Sequence, residues 1–140
     1  MRQRSINRYG FVDQINLQDI HLIFDNLCNL KCRMCSSDSS HLLIKEELML
    51  YGQTFSNQKY SQNTLYQNLD LSNIKRINIT GDEPLLSPHF NKFLKKLNEE
   101  TNLNEIEFCF FSNGTILPST KLLESFNQFK KSKLQLVLTQ

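Results

Sequence analysis

Hydrophobic residues along this chain follow two different repeats, and the repeats alternate. From Asp19 to Asp25, Ile20, Leu22 and Phe24 occupy every second position, which predicts a short strand. From Asp38 to Leu50 the spacing changes. Leu42, Leu43, Ile44, Leu48 and Met49 supply apolar positions for a helix, with Asp38, Ser37 or Ser39 as its cap. Residues 51–64 are polar and rich in Gln, Asn and Ser, and read as a loop. Leu65 and Leu69 are spaced for a short helix. Ile74, Ile77 and Ile79 then belong to a β-branched strand ending at Thr80.

The second half repeats the alternation more strongly. Ser87 and Pro88 form a helix start, a capping hydroxyl followed by a residue pre-set for the first turn. Phe90, Phe93, Leu94 and Leu97 follow at i, i+3, i+4, i+7 and make one buried face. Ile106 to Phe111 is an apolar third strand, closed by the turn residues Ser112-Asn113-Gly114-Thr115. Pro118 and Ser119 open a third helix that buries Leu122, Leu123, Phe126 and Phe129. Leu134, Leu136 and Leu138 alternate as a fourth strand. Residues 1–18 lack a period and are taken as an N-terminal extension, leaving 19–140 as one domain.

The order β-α-β-α-β-α-β implies an α/β fold with parallel strands joined by right-handed crossovers. Chemistry in such folds gathers at the C-terminal ends of the strands. Three unusual stretches fall there. Cysteines follow the first strand, Gly81-Asp82-Glu83-Pro84 the second, and Ser112-Asn113-Gly114 the third.

Composition changes this picture little. The chain has 140 residues, 39% hydrophobic and 21% charged, with a net charge of +2, so charge alone does not argue for nucleic acid. Lys130, Lys131 and Lys133 are read as a solvated helix end, favourable to the helix dipole. No segment is apolar for long enough to span a membrane, and no apolar stretch follows the basic start as in a signal peptide. The expectation is a cytoplasmic protein with reduced thiols and neither membrane nor nucleic-acid partners.

Three of the four cysteines are Cys28, Cys32 and Cys35, spaced C-x3-C-x2-C. Soft thiolates select zinc or iron–sulfur centres. A closed zinc site wants four ligands, and Cys109 sits far away in an apolar strand where it reads as a core residue. A zinc module of Cys28, Cys32, Cys35 and His41 is therefore one reading. The other is a cubane iron–sulfur cluster with three protein ligands, whose fourth iron stays open for a small molecule. His21 and His89 read as structural residues, and Glu46 and Glu47 as an exposed helix face.

The segment Cys28-Asn29-Leu30-Lys31-Cys32-Arg33-Met34-Cys35 resembles the signature of the radical S-adenosylmethionine (SAM) superfamily, in its twitch or SPASM-bearing members. Thr80-Gly81-Asp82-Glu83-Pro84-Leu85-Leu86 resembles the superfamily's Gly-Gly-Glu-Pro segment. Ser112-Asn113-Gly114-Thr115 resembles its Thr-Asn-Gly turn. The resemblance runs from about Asp19 to the end of the sequence. It implies a partial (β/α) TIM-like half-barrel, with about four parallel strands of the six-unit core.

The resemblance also implies roles. Cys28, Cys32 and Cys35 would ligate a [4Fe-4S] cluster whose fourth iron is chelated by SAM. Gly81, Asp82, Glu83 and Pro84 would present backbone oxygens, or a carboxylate, to the SAM amino group. The backbone of Met34 would lie near adenine, and Ser112 and Asn113 would face the methionine or ribose. An external electron donor would reduce the cluster, and a 5′-deoxyadenosyl radical would take hydrogen from an unknown substrate.

Two features depart from the family pattern. Asp82 stands where the family usually has glycine, and aspartate tolerates a left-handed backbone better than most residues. The sequence also stops after the fourth strand, with Thr139 near the start of the family's next motif. Three expectations follow: a truncated enzyme, an inactive remnant, or half of a split enzyme whose partner chain supplies the rest.

Overall fold

The structure is a computed structural model that describes residues 16–55 and 65–136. Strands β1 (Asp19–Leu22), β2 (Arg76–Ile79), β3 (Glu107–Ser112) and β4 (Lys131–Leu136) form a single sheet in the order β1-β2-β3-β4. All pairs are parallel, with Ile20 opposite Ile77, Ile77 opposite Phe108, and Phe110 opposite Leu134. The sheet does not close. This is the α/β architecture the alternation predicts, a partial TIM-like half-barrel of four parallel strands.

Helices α2 (Pro88–Glu100) and α3 (Thr120–Phe126) supply the apolar cover of the sheet. Phe90, Phe93 and Leu97 of α2 are fully buried in one core with Ile77, Ile79, Phe108 and Phe110. Ser87 caps α2 as expected, its Oγ accepting the His89 N–H at 3.2 Å. Ser119 does the same for α3, accepting from the Leu122 N–H at 3.3 Å. Aromatic rings fill much of the interior at spacings typical of favourable pairs. Phe108 and Phe129 stack 4.6 Å apart, and Phe24 meets Tyr66 edge-on at 5.6 Å.

Several expectations shift. The periodic pattern of β1 runs to Asp25, but the strand ends at Leu22; Phe24 and Asp25 are buried beyond it. Helix α3 stops at Phe126, so Phe129 reaches the core from a turn and Leu123 is exposed. Lys131 and Lys133 open β4 instead of ending a helix. The described residues of β4 are all exposed, Leu134 and Leu136 included. Leu138 and Thr139 lie outside the described residues, as do the first 15 positions and residues 56–64. The expected helix at Leu65–Leu69 is a 3-10 turn, Leu65–Asn68, whose buried residue is Tyr66.

The largest correction concerns α1. A 3-10 turn, His41–Leu43, leads into α1 at Ile44–Tyr51, well after Asp38. None of the expected caps, Asp38, Ser37 or Ser39, stands at its start, and the Ser37 hydroxyl donates to Glu47. The neighbouring Ser40 Oγ donates to the Leu30 carbonyl at 2.7 Å. Leu48, Met49, Leu50 and Tyr51 are exposed, while Glu47, expected on the exposed face, is the buried residue of the helix. Its carboxylate accepts from the backbone N–H of Ser37 at 2.7 Å and of Phe55 at 3.0 Å, and from Thr54 Oγ1 at 3.3 Å.

Candidate functional site

The C-terminal ends of β1, β2 and β3 meet at one cleft of about 230 Å³. Its walls include Cys28, Cys32, Cys35, Gly81, Asp82, Ser112 and Asn113. Parallel strands end on the same side of a sheet, so each of the three loops leaves β1, β2 or β3 toward this cleft. Seven of the residues singled out in the sequence are thus brought together. Met34, Glu83, Pro84 and His41 do not line the cleft.

The cysteine loop is held at both ends by polar side chains. Asn26 Nδ2 donates to the Ser37 carbonyl at 2.8 Å, and the His41 N–H donates to the Asn26 carbonyl at 2.8 Å. Together with Ser40 and Glu47, these bonds fix the stem of the loop, and Cys28, Cys32 and Cys35 are not joined in a disulfide. Burial pushes the Cys35 thiol up, and the neighbouring Cys32, Cys28 and Asp82 charges push it further. A cation placed among these sulfurs reverses that repulsion. Among the described residues, no three His, Cys, Asp or Glu side chains are gathered around a point that would hold a single metal ion. His41 is not among the cleft residues, and its Nδ1 accepts the Cys28 N–H at 3.4 Å.

The second loop needs a left-handed backbone at two consecutive residues. Gly81 has φ +82°, and a Cβ there would lie 2.8 Å from Ile23 Cγ2. Asp82 follows at φ +37°, the one non-glycine residue with positive φ among those described. Asp82 Oδ1 is buried against the cleft with no hydrogen-bond partner. Burial, and then the nearby Asp25 carboxylate, push this acid up to about 8. Asp25 is itself occupied, accepting from the Leu27 N–H at 3.0 Å and from the Ser87 hydroxyl.

Glu83 turns into the protein and is fully buried. Its carboxylate accepts from Ser112 Oγ at 2.9 Å, from the Asn113 N–H at 2.8 Å and from the Leu85 N–H at 3.2 Å. Its own N–H donates to the Leu27 carbonyl at 3.0 Å. Glu83 therefore ties the loops after β1, β2 and β3 to one another.

Sequence reasoning passed over several residues that complete the site. Phe111, Thr80 and Ser39 also line the cleft. Phe111 was foreseeable, because alternation along β3 sends it to the face opposite Phe108 and Phe110. Asn29 and Thr115 join the first and third loops, with Asn29 Nδ2 donating to Thr115 Oγ1 at 2.7 Å. No spacing in the chain marks that pair.

Such a cleft suits a cluster held on one side by thiolates and a small molecule on the other. A family model described as the radical SAM superfamily matches residues 22–138. No curated protein and no solved structure matches the chain.

Proposed function

The chain belongs to the radical SAM superfamily, and from that premise we propose that Cys28, Cys32 and Cys35 hold a [4Fe-4S] cluster whose open iron takes SAM. The observation that carries this reading is the convergence of three thiols and the unpartnered Asp82 oxygen on one cleft. The donor set fits the cofactors. Three soft sulfurs suit iron, and a buried carboxylate oxygen without a partner suits the ammonium of SAM.

Bound there, the cluster and SAM supply a 5′-deoxyadenosyl radical that takes hydrogen from a substrate, once an external donor provides an electron. The chain's own part is positioning. A cation opposite Asp82 pairs its orphaned oxygen and draws the acid, held up at about 8, back to its ionised form. Gly81 keeps the loop backbone free of a side chain that Ile23 would block. Ser112 and Asn113 border the methionine or ribose part, and Phe111 adds an apolar wall that limits water. The backbone of Met34, whose side chain is exposed, is proposed to lie near adenine. The carboxylate offered to the ligand is that of Asp82, since Glu83 is committed to Ser112, Asn113 and Leu85.

The test is anaerobic reconstitution with iron and sulfide, followed by electron paramagnetic resonance of the reduced protein with and without SAM. A [4Fe-4S] signal that changes on adding SAM is expected. A cluster that ignores SAM would mark an inactive remnant, and zinc bound in place of iron would overturn the reading. Calorimetric titration of the reconstituted chain is expected to detect SAM with Asp82 in place. Binding seen only in Asp82→Gly would remove the aspartate from its proposed role.

A further inference from the structure

Of the three cysteines, Cys28 differs from the other two in its surroundings. It is buried, and two N–H groups point at its sulfur. The Leu30 N–H lies 3.5 Å from Cys28 Sγ, and Asn113 Nδ2 lies 3.6 Å from it. The first contact is local to the loop. The second spans the site, from the loop after β3 to the loop after β1, across 85 positions of sequence.

The Asn113 amide is held from every side. Its Oδ1 accepts from the Thr115 N–H at 3.0 Å and from Thr115 Oγ1 at 2.6 Å. Its Nδ2 also donates to Asn29 Oδ1 at 3.0 Å, and its backbone N–H is fixed by Glu83 at 2.8 Å. With the oxygen occupied by Thr115, the amide NH2 faces Asn29 and the sulfur.

We infer that Asn113 is a positioning residue that tunes the cluster by donating an N–H···S hydrogen bond to Cys28. The inference rests on the cluster reading above and adds to it a determinant of redox poise. A hydrogen bond to a cysteinyl sulfur draws electron density from the iron and favours the more negative, reduced state. Removing the donor disfavours reduction and makes the potential more negative. A hydrogen bond to a charged acceptor is strong enough for an effect of roughly tenfold on the reduction equilibrium, equal to about 59 mV for a one-electron couple.

The experiment is a redox titration of the reconstituted chain, followed by electron paramagnetic resonance, for wild type, Asn113→Asp, Asn113→Ala and Thr115→Val. Asn113→Asp keeps an oxygen for Thr115 and removes the donor; Asn113→Ala removes the donor without adding charge. Both are expected to bind iron at wild-type stoichiometry and to shift to more negative potential. Thr115→Val removes one donor to the Asn113 oxygen but keeps the Thr115 N–H that orients the amide, and is expected to titrate like wild type. Unmoved potentials in both Asn113 variants, or an equal shift in Thr115→Val, would overturn the inference while leaving the cluster reading intact. Loss of iron from both Asn113 variants would show a residue that builds the site and does not tune it, and would also overturn the inference. A wild-type chain that takes up no iron would overturn both readings.

Discussion

The carboxylate of Glu83 accepts the backbone N–H of Asn113 at 2.8 Å, and through this bond a buried side chain after β2 fixes the loop after β3. Glu83 is fully buried, yet each of its oxygens has donors, so its burial is compensated.

Glu83→Gln must set an amide NH2 among groups that are themselves donors. We expect a loss of about 1.5–3 kcal/mol in unfolding free energy, the range for hydrogen bonds to charged groups. Urea denaturation of the cluster-free chain measures it. An unchanged midpoint would mean that the loops are tied by other contacts.

Gly81→Ala meets two obstacles at once. The left-handed backbone costs about 1–2 kcal/mol for an L-residue. The new Cβ also falls 2.8 Å from Ile23 Cγ2. Adding Ile23→Ala should recover the steric part and leave the backbone part. A single variant as stable as wild type would show that the loop can move out of this conformation.

Glu47 gives the cysteine loop a dependence on pH. Burial raises its pKa, but hydrogen bonds from Ser37, Phe55 and Thr54 outweigh that and leave it lowered from 4.5. A lowered folded pKa contributes stability that is present above the unfolded value and lost as pH falls through the folded one. The melting temperature should therefore fall below about pH 4.5, a value typical of the free acid. Glu47→Gln should melt lower than wild type at neutral pH, and the gap should narrow in acid. A gap that stays constant would remove Glu47 from this role.

Phe93 carries the contact between α2 and the segment after β1. It is fully buried, with its ring 5.7 Å from that of Phe24 and 5.8 Å from that of Tyr66. Phe93→Ala should cost about 3–5 kcal/mol, including the cavity it leaves. Chemical denaturation measures the loss, and a value below about 1 kcal/mol would mean that the core collapses into the gap.

The sheet was legible because strand and helix repeats alternate cleanly, and burial then enforces them. The ends of β2 and β3 were marked by Gly81 and by Ser112-Asn113-Gly114, which is why the cleft could be assembled in advance. The reading of α1 failed for a physical reason. A hydroxyl such as that of Ser37 can cap a helix or hold a loop, and local sequence does not say which. Glu47 looked like a surface charge because its donors come from Ser37, Thr54 and Phe55, none of them spaced along its helix face. The tie Glu83 makes between loops, and the Asn29–Thr115 pair, were hidden for a related reason, since the partners come from other loops. Helix period also overran α3, where Phe129 is brought to the core by a turn.

The span between Cys28 and Asn113 has a consequence during synthesis. The thiols leave the ribosome long before β3 does, so a nascent chain carries its three sulfurs without the amide that faces them. Domains generally fold as units once their elements have emerged. Until β3 and its turn are released, Glu83 has no Ser112 or Asn113 to hold, and the cleft lacks one wall. The cleft of this chain is therefore complete only once its third strand has been translated, not when its cysteines appear.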